Sequence, residues 1–475
     1  MTMNPTWRLR ARFAQRLSDL YGEEVPAYNA LVKVSQAVNE KTIAENHVDA
    51  ERFGSISRVT AERHGAIRVG SAIELRQVSR VFAALGMYPT GYYDLRDAKP
   101  APIPVVSTAF RPLDREQLAL NPFRVFTSLL VTDDRRFFDV ATEQQLNDFL
   151  ARREIFPVDL LQYAEKAVEQ EGLGEADATR FLDLAAAAFA LSDDPVDFEW
   201  YQKLNSISSV AADIGGVSTT HINHLTPRVL DIDRLYDAME AEGIHMIDDI
   251  QGPPKWDGPD VLLRQTSFKA LAEPRAFRGS DGKVFEGNLR VRFGEVEARG
   301  LALTPRGRDR YDDLMARIDR EGSDDSSTER QTYARSVWSR AWPATERGFL
   351  EQNLAYFTFR VTDKLPDEDL GQSNSETSVL DLIDRGVIAA DPIVYEDFLP
   401  RSAAGIFSSN LTSEGSIDQS LGGASRGIEW MSQIIQVPVN VPEVVYGREQ
   451  EESLKAVSKQ LGLQLVLPEI ADASC

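Results

Sequence analysis

The feature that most constrains the fold of this chain is an internal repeat in which each copy opens with a histidine. The first copy reads His-Gly-Ala-Ile-Arg-Val from residue 64, and the second reads His-Leu-Thr-Pro-Arg-Val from residue 224. In both copies, apolar residues at helical spacing follow, and then extended apolar stretches. The sequence therefore predicts a strand–helix–strands unit that occurs twice. The matched positions are His64 and His224, Arg68 and Arg228, Leu75 and Leu235, and Gly86 and Gly243.

The charge balance argues against several classes of partner. The chain has 475 residues and a formal net charge of -22, which repels the phosphate backbone of nucleic acids and anionic lipid headgroups. Hydrophobic residues make up 43% of the chain, enough for a large core. We therefore expect a globular protein that binds neither nucleic acid nor membrane, and an anionic substrate must meet local positive charge.

Cysteine usage and the first residues bear on the cellular compartment. Cys475 is the one cysteine, which leaves no internal disulfide and no cysteine zinc cluster. The first residues lack the apolar stretch of a signal peptide, and no apolar run is long enough to span a bilayer. These features predict a cytoplasmic protein, and they leave its oligomeric state open.

The pattern along the chain predicts an α+β fold in five segments. A strand is predicted at 63–69, a helix at 73–85, and later strands at 393–398 and 437–445. The segments are an N-terminal helical part (1–55), a first strand–helix–strands module (56–135), a helical insertion (136–210), a second such module (211–310) and a mixed C-terminal region that completes the pocket (311–475).

The sequence lacks the common signatures of nucleotide binding and covalent catalysis. It has no Gly-x-Ser-x-Gly elbow, no Gly-x-x-x-x-Gly-Lys phosphate loop and no spaced-glycine dinucleotide fingerprint. A metal site fits its histidines better. His221 and His224 could share a helical face, but Pro227 disfavours a helix there, and in a strand the two positions face opposite sides. The repeat then selects His224, the partner of His64.

A carboxylate is the expected third ligand. Glu295 and Glu297 lie on one face of a predicted strand, and their spacing alone leaves both open. Two histidines and one carboxylate are typical of non-haem Fe(II) oxygenases, because they leave metal positions open for substrate and oxygen. Arg68 shares the strand face of His64, and its planar guanidinium is suited to a substrate carboxylate.

Each of these residues also has a plain structural interpretation. A histidine in an apolar setting can be an ordinary core residue, Glu295 can be a solvated strand residue, and Arg68 can be one partner of a structural ion pair. The remaining candidates are interpreted structurally as a surface residue (His47), a loop residue (His245) and core residues (Tyr92 and Tyr93).

Several long stretches together resemble the 2-oxoadipate dioxygenase/decarboxylase family, a relative of the vicinal oxygen chelate superfamily. One of them is Glu-Arg-His-Gly-Ala-Ile-Arg-Val-Gly at 62–70, and another is His-Ile-Asn-His-Leu-Thr-Pro-Arg at 221–228. The resemblance extends over most of the chain. The other stretches are 86–95, 107–112, 121–128, 263–271, 292–295, 394–400 and 402–407.

The resemblance implies a fold and a set of metal ligands. The fold is a pair of βαβββ modules that form a partly closed barrel around one metal, with helical additions. The implied metal is Fe(II), bound by His64, His224 and Glu295. The last of these is the glutamate of the Arg-Phe-Gly-Glu motif, which decides against Glu297. His64 is also implied to contact the substrate.

The implied reaction converts 2-oxoadipate and O2 into 2-hydroxyglutarate and CO2, a step of lysine breakdown. Arg68 is implied to bind a substrate carboxylate, with Arg401 and Ser402 near the substrate. The chain departs from the family pattern at three positions. Arg401 replaces a residue that is commonly small and apolar, Gln251 replaces a common glutamate, and Val106 replaces a common histidine. A second arginine could hold a dicarboxylate more tightly or favour a different 2-oxo acid.

Two other classes of protein compete with the oxygenase interpretation. A metal-dependent lyase, isomerase or hydrolase could use the same scaffold, because a fold does not determine the reaction type. A non-catalytic binding protein could also keep the fold. The presence of all three ligand types argues against the binding protein, and oxygen consumption separates an oxygenase from the other enzymes.

Overall fold

The structure is a computed structural model of the chain. His47, Arg401 and Ser402 lie outside the residues that it describes. Within the described ranges, no helix combines the length and the apolar character needed to cross a membrane. The described ranges are 3–45, 63–98, 102–269, 273–289, 292–321, 327–364, 376–399 and 423–468.

Short strands occur along the whole described chain. They are β1 (Met3–Pro5), β2 (Arg63–Val69), β3 (Tyr88–Asp94), β4 (Val105–Arg111), β5 (Arg124–Leu130), β6 (Gly172–Gly174), β7 (Val196–Asp197), β8 (His224–Pro227), β9 (Leu263–Ser267), β10 (Glu273–Arg278), β11 (Val284–Leu289), β12 (Glu295–Arg299), β13 (Phe357–Val361), β14 (Thr377–Ser378), β15 (Ile388–Pro392) and β16 (Leu465–Val466).

Helices alternate with these strands. They are α1 (Thr6–Glu24), α2 (Pro26–Glu45), α3 (Ala72–Ala83), α4 (Arg115–Leu120), α5 (Val140–Leu150), α6 (Val158–Glu169), α7 (Glu175–Ala187), α8 (Phe198–Ile207), α9 (Ser209–Gly216), α10 (Ile232–Ala241), α11 (Pro305–Glu321), α12 (Ser327–Ala341), α13 (Glu346–Glu351), α14 (Val379–Asp384), α15 (Ile428–Ile435) and α16 (Pro442–Leu461).

A five-stranded sheet carries the first histidine-headed unit. Its strand order is β3-β4-β5-β2-β8, with β2 parallel to β5 and antiparallel to β8. Side chains of β2 alternate between two faces. Ile67 and Val69 join the hydrophobic core, so His64 and Arg68 lie on the opposite face. The strand predicted at 63–69 is confirmed.

Helix α3 follows β2 where the sequence predicts a helix. The side chain of Ser71 accepts a hydrogen bond from the backbone N–H of Glu74, and the Glu74 carboxylate accepts one from the backbone N–H of Ser71. This capping box starts the helix. Gly86 follows the helix with a φ of +67°, a left-handed conformation that glycine adopts without steric cost.

The second histidine-headed unit is less regular than the first. β8 leads into α10, and the chain then forms an isolated bridge between Gln251 and Gln265. β9 pairs with β12, and the β10–β11 hairpin lies between them in the chain. A parallel bridge joins Arg228, just after β8, to Glu297 of β12. The first and last strands of this unit therefore run side by side in the same direction, as β2 and β5 do.

The predicted α+β class is confirmed by this mixture of helices and sheets. The described strands form one five-stranded sheet, one three-stranded sheet and four two-stranded sheets. These strands do not form a closed barrel.

The chain divides into two compact units. The first contains the five-stranded sheet and a core to which the apolar face of that sheet and helices α1, α3, α6 and α7 all contribute. In the second, α16 packs against the antiparallel pair β13–β15. The finer five-segment division stays a prediction. The first unit is Met1–Gln251, Gln265–Ala298 and Asp397–Asn440, and the second is Gly252–Arg264, Arg299–Glu396 and Val441–Cys475.

Two predicted strands near the C-terminus are wrong. The stretch 393–398 does not form a strand, because β15 ends at Pro392 and Val394 makes an isolated bridge with Leu301. The apolar run at 437–445 does not form a strand, because α16 begins within it at Pro442. Proline is favoured in the first turn of a helix, where its missing N–H has no partner to lose. The valines of this run belong partly to a helix face, on which Val445 is buried.

Candidate metal centre

Two neighbouring strands bring His64 and His224 together. In the antiparallel pair β2–β8, His224 lies opposite Ala66, and His64 lies opposite Thr226. Directly opposed residues share a sheet face, so the two imidazoles are diagonal neighbours on one face. Their ring centroids are 5.3 Å apart, and the two residues are 1% and 4% exposed.

Glu295 completes a group of three possible metal ligands. It is the first residue of β12 and is buried. Its Oε2 lies 3.5 Å from Nε2 of His64, and its Oε1 lies 3.2 Å from Nδ1 of His224. One ligand atom from each of the three residues lies within 4.8 Å of the other two. A single ion between them can reach all three.

Glu297 occupies a different position around His64. Its Oε2 lies 3.0 Å from Nδ1 of His64, the ring nitrogen on the other side from Glu295. Its Oε1 lies 3.3 Å from Nη1 of Arg124. The spacing of the sequence left Glu295 and Glu297 as equal candidates. The structure places Glu295 between the two histidines and Glu297 behind one of them.

The atoms of the group fit a metal ion. Within the described residues, neither ring nitrogen of His224 makes a well-formed hydrogen bond, although both are buried. Leaving such an atom without a partner costs about 1–3 kcal/mol, and a metal bond would remove that cost. Two imidazoles and a carboxylate are the donors of the two-histidine, one-carboxylate sites that bind a divalent transition metal and keep positions open.

Burial and neighbouring charge shift the pKa values in this group. Burial lowers the pKa of His224 well below its usual value, and the charges of His64 and Arg68 lower it further. Burial raises the pKa of Glu295. Burial alone would lower the pKa of His64, but the carboxylates of Glu297 and Glu295 outweigh it and raise that pKa. His224 is therefore a neutral imidazole, the form that binds metals.

Aromatic side chains form a wall beside the three ligands. The ring of Phe398 meets the ring of His64 edge-on, with the two ring centroids 5.0 Å apart. The centroid of the Phe398 ring is also 5.0 Å from that of Phe126. The ring centroids of Phe293 and His224 are 5.6 Å apart. Tyr93 belongs to the same small apolar cluster as Phe126 and Phe398, so its interpretation as a core residue is confirmed. These rings make one side of the candidate site apolar.

Arg68 lies on the same face of β2 as His64, two residues beyond the position opposite His224. Its buried guanidinium forms an ion pair with Asp213. The Nε2 of His221 lies 3.2 Å from the other oxygen of that carboxylate. His221 therefore belongs to the Asp213 cluster and is not part of the three-ligand group. β8 begins only at His224, so the alternation of strand faces does not explain this separation.

Asp213 is the residue of the site that our sequence analysis missed. It is the one charged residue in helix α9, whose eight residues are all buried. A lone carboxylate in so apolar a helix indicates a buried partner of opposite charge, because burying an unpaired charge is costly. The sequence does not show its partner, because Arg68 lies far away in the chain.

Two departures from the family pattern fall outside the three-ligand group. Val106 belongs to the hydrophobic core on the other face of the sheet, and Gln251 pairs through its backbone with Gln265. His245 is strongly exposed, and its ring nitrogen lies 3.4 Å from Glu240. None of the three belongs to the metal group found among the described residues.

The fold and the site together define a protein class: a mixed helix and sheet scaffold with a buried two-histidine, one-glutamate centre suited to a single metal ion. The family model for the 2-oxoadipate dioxygenase/decarboxylase matches residues 13–410. The chain therefore belongs to the 2-oxoadipate dioxygenase/decarboxylase family.

Named relatives extend this similarity over nearly the whole chain. A 2-oxoadipate dioxygenase/decarboxylase from Mycobacterium tuberculosis is 51% identical over 441 residues, 93% of this chain and 96% of that protein. One from Pseudomonas putida is 39% identical over 466 residues, 96% of this chain and 97% of that protein. The crystal structure of the hydroxyglutarate synthase in complex with 2-oxoadipate from Pseudomonas putida matches with a TM-score of 0.82 at 36% identity, covering 96% of this chain and 99% of that chain.

Proposed function

We propose that this chain is an Fe(II)-dependent dioxygenase/decarboxylase that converts 2-oxoadipate and O2 into 2-hydroxyglutarate and CO2. The observation that carries the proposal is the convergence of His64, His224 and Glu295, whose ligand atoms lie within 4.8 Å of one another in a buried place. The names of the relatives and the 2-oxoadipate complex of the Pseudomonas putida protein support the choice of substrate.

Iron is the metal that best suits both the donors and the reaction. Three protein ligands leave positions for a chelating 2-oxo acid and for O2, and this donor set is typical of Fe(II) oxygenases. Bound iron would supply the one-electron chemistry that lets O2 react with an organic molecule. The atoms of 2-oxoadipate and O2 together equal those of 2-hydroxyglutarate and CO2, so the reaction needs no further reductant.

The protein's part is to hold the substrate and exclude water. Arg68 lies on the metal-facing side of β2, and we infer that its guanidinium binds the distal carboxylate of the dicarboxylic acid. The apolar cluster that includes Phe126 and Phe398 suits the methylene chain between the two carboxylates. Arg401 and Ser402 stay proposed substrate contacts from the family resemblance. The location in the cytoplasm and the role in lysine breakdown are parts of the same proposal.

The strand arrangement supports an interpretation as paired βαβββ modules. Each unit opens with a strand that carries one histidine, and the opening strand lies parallel to the last strand of its own unit, through β2–β5 in the first and through Arg228 and Glu297 in the second. The opening strands β2 and β8 pair with each other. We infer that these modules surround the metal as a partly closed barrel.

The direct test is an oxygen-uptake screen with 2-oxo acids of graded chain length. The protein is loaded anaerobically with Fe(II), each acid is added with O2, and the products are identified. The proposal predicts that uptake is fastest with 2-oxoadipate and that 2-hydroxyglutarate and CO2 appear in equal amounts. Uptake with another 2-oxo acid alone would correct the substrate. No uptake with any acid, although iron is bound, would favour a lyase, isomerase or hydrolase.

A further inference from the structure

A buried polar cluster lies beside the candidate metal centre and is not explained by metal binding. At its centre is Asp213, which is 2% exposed in the apolar helix α9. Three side chains from two other parts of the chain converge on its carboxylate: Arg68 from β2, and His221 and Asn223 from the segment just before β8.

The two carboxylate oxygens of Asp213 have different partners. Oδ2 accepts a hydrogen bond from Nη1 of Arg68 and another, 3.1 Å long, from Nδ2 of Asn223. Oδ1 lies 3.2 Å from Nε2 of His221. Oδ2 accepts both hydrogen bonds and Oδ1 faces the ring of His221, so these contacts restrict the orientation of the carboxylate. A guanidinium that donates to it is therefore fixed in orientation as well as neutralised.

The surrounding backbone fixes the same cluster to β2. The hydroxyl of Thr220 donates a 2.6 Å hydrogen bond to the carbonyl of Arg68. The backbone N–H of Asn223 donates a 2.8 Å bond to the carbonyl of Ala66. The segment that carries His221 and Asn223 thus follows β2 along the stretch between the metal-facing His64 and Arg68.

Asp213 is ionised in this cluster. Burial alone would raise the pKa of the Asp213 carboxyl, but His221 and Arg68 outweigh burial and hold that pKa well below its usual value. A charged carboxylate among apolar side chains is costly, and a pair of apolar residues would often stabilise the fold as well or better. Stability alone therefore does not account for its presence beside a substrate-facing arginine.

We propose that Asp213 is a positioning residue for Arg68, and that its carboxylate, held by His221 and Asn223, turns the guanidinium toward the distal carboxylate of the 2-oxo acid. This inference rests on the proposed function, since it assumes that Arg68 binds the substrate. A guanidinium has five N–H donors, more than one carboxylate can use, so one arginine can bind Asp213 and a substrate carboxylate together.

The test compares steady-state kinetics of iron-loaded wild type, Asp213→Asn, Arg68→Ala and the double variant. Asparagine keeps the size of the side chain but removes the charge that orients Arg68. Asp213→Asn is expected to raise the KM for 2-oxoadipate by at least about 10-fold, as the loss of one charge-assisted hydrogen bond predicts, with much less change in kcat. The double variant should have the KM of Arg68→Ala, because Asp213 acts only through Arg68.

A second acid separates positioning from a general loss of binding. 2-Oxohexanoate has the chain length of 2-oxoadipate and the same 2-oxo acid group, but a methyl group replaces its distal carboxylate. Its inhibition constant against 2-oxoadipate is expected to be the same in wild type and in Asp213→Asn. A matched rise in that constant would overturn the proposal, because it would mean that Asp213 supports the whole site and not Arg68.

Asp134→Asn is the matched control for the loss of a buried ion pair. Asp134 is buried in the same compact unit and is held by Arg96 and Arg136, none of which belongs to the three-ligand group. Its loss should lower stability comparably and leave the KM for 2-oxoadipate unchanged. His221→Ala is a second test should Asp213→Asn fail to fold, and it should raise the same KM by a smaller factor.

The outcomes distinguish this inference from the proposed function. If wild type is active and the KM is unchanged in Asp213→Asn and in His221→Ala, the positioning role is wrong and the proposed function stands. If wild type does not turn over 2-oxoadipate, the Kd of that acid replaces the KM in the comparison of wild type with the variants. It is measured at equilibrium on the iron-loaded proteins without O2. A wild type that neither turns over nor binds 2-oxoadipate contradicts both.

Discussion

At the scale of single residues, Glu295 and Glu297 occupy different positions in the candidate centre, although their spacing in the sequence made them equal candidates for the metal ligand. Glu295 lies between both histidines, whereas Glu297 lies 3.0 Å from the outer nitrogen of His64 and also contacts Arg124. A carboxylate on the outer nitrogen of a metal-binding histidine fixes the tautomer that presents the other nitrogen to the metal. The two residues should therefore differ when each is replaced.

Replacing His224 and His221 separately tests which histidine binds the metal. His224→Ala should abolish Fe(II) binding, because one of three ligands is lost, and His221→Ala should largely preserve it. Anaerobic titration with Fe(II) followed by metal analysis measures both. Equal losses in the two variants would mean that the Asp213 cluster, not the three-ligand group, controls the site.

Replacing Glu297 tests its position behind His64. Glu297→Ala should weaken Fe(II) binding by roughly 10- to 100-fold, as is usual when the partner of a metal-binding histidine is removed. Glu297→Gln should lose much less, since an amide oxygen at the same place beside Nδ1 of His64 can also accept a hydrogen bond. Affinity is measured by the same titration, with circular dichroism to show that each variant is folded. Unchanged affinity in Glu297→Ala would rule out the orienting role.

At the scale of elements, helix α1 connects the two chain segments that carry His224 and Glu295. The hydroxyl of Tyr21, near the end of this helix, is within hydrogen-bonding distance of the carbonyls of Asn223 and Phe293, at 3.0 and 2.8 Å. Each carbonyl lies one or two residues before a ligand. A helix that covers the core thus also fixes the spacing between β8 and β12.

Removing the Tyr21 hydroxyl should loosen that spacing. Tyr21→Phe leaves two buried carbonyls with one partner fewer, which costs about 1–3 kcal/mol of stability, and it should also weaken Fe(II) binding. Tyr236→Phe is the control, because its hydroxyl also donates to a backbone carbonyl, that of Ile247, but at neither ligand segment. If both variants lose stability and neither loses metal affinity, Tyr21 serves only the core.

Local sequence patterns predicted the secondary-structure elements, whereas contacts between residues far apart in the chain could not be predicted from them. The strand at 63–69 and the helix at 73–85 follow from short-range patterns, the helix from apolar residues at helical spacing that end at Gly86. The three-ligand group follows from the repeat and the family motif. The partner of Arg68 and the contacts of Tyr21 could not be predicted, because they join residues distant in sequence. The wrong strand at 437–445 shows that an apolar run does not distinguish a strand from a helix face.

At the scale of the whole molecule, a metal ion would join distant parts of one compact unit. His64 and His224 come from its first chain segment, and Glu295 comes from its second. A bound cation also reduces the electrostatic repulsion within a chain whose net charge is -22. Fe(II) binding should therefore stabilise the folded protein.

Thermal unfolding with and without Fe(II) measures this coupling. A ligand at 100 times its Kd stabilises the folded state by about 2.7 kcal/mol, so the unfolding midpoint of wild type should rise with Fe(II) under anaerobic conditions. Glu295→Ala should show almost no rise. An equal rise in the variant would place the bound metal elsewhere, for example on surface carboxylates.

The central claim is that 2-oxoadipate reacts with O2 at the iron held by His64, His224 and Glu295, and labelled oxygen tests it most directly. The CO2 that leaves keeps the oxygens of the original carboxylate, so both atoms of O2 must enter the product. A single turnover of iron-loaded protein with 2-oxoadipate and ¹⁸O2 is predicted to give 2-hydroxyglutarate that carries label in its hydroxyl and in its new carboxylate. Unlabelled 2-hydroxyglutarate, or none at all, would contradict the account.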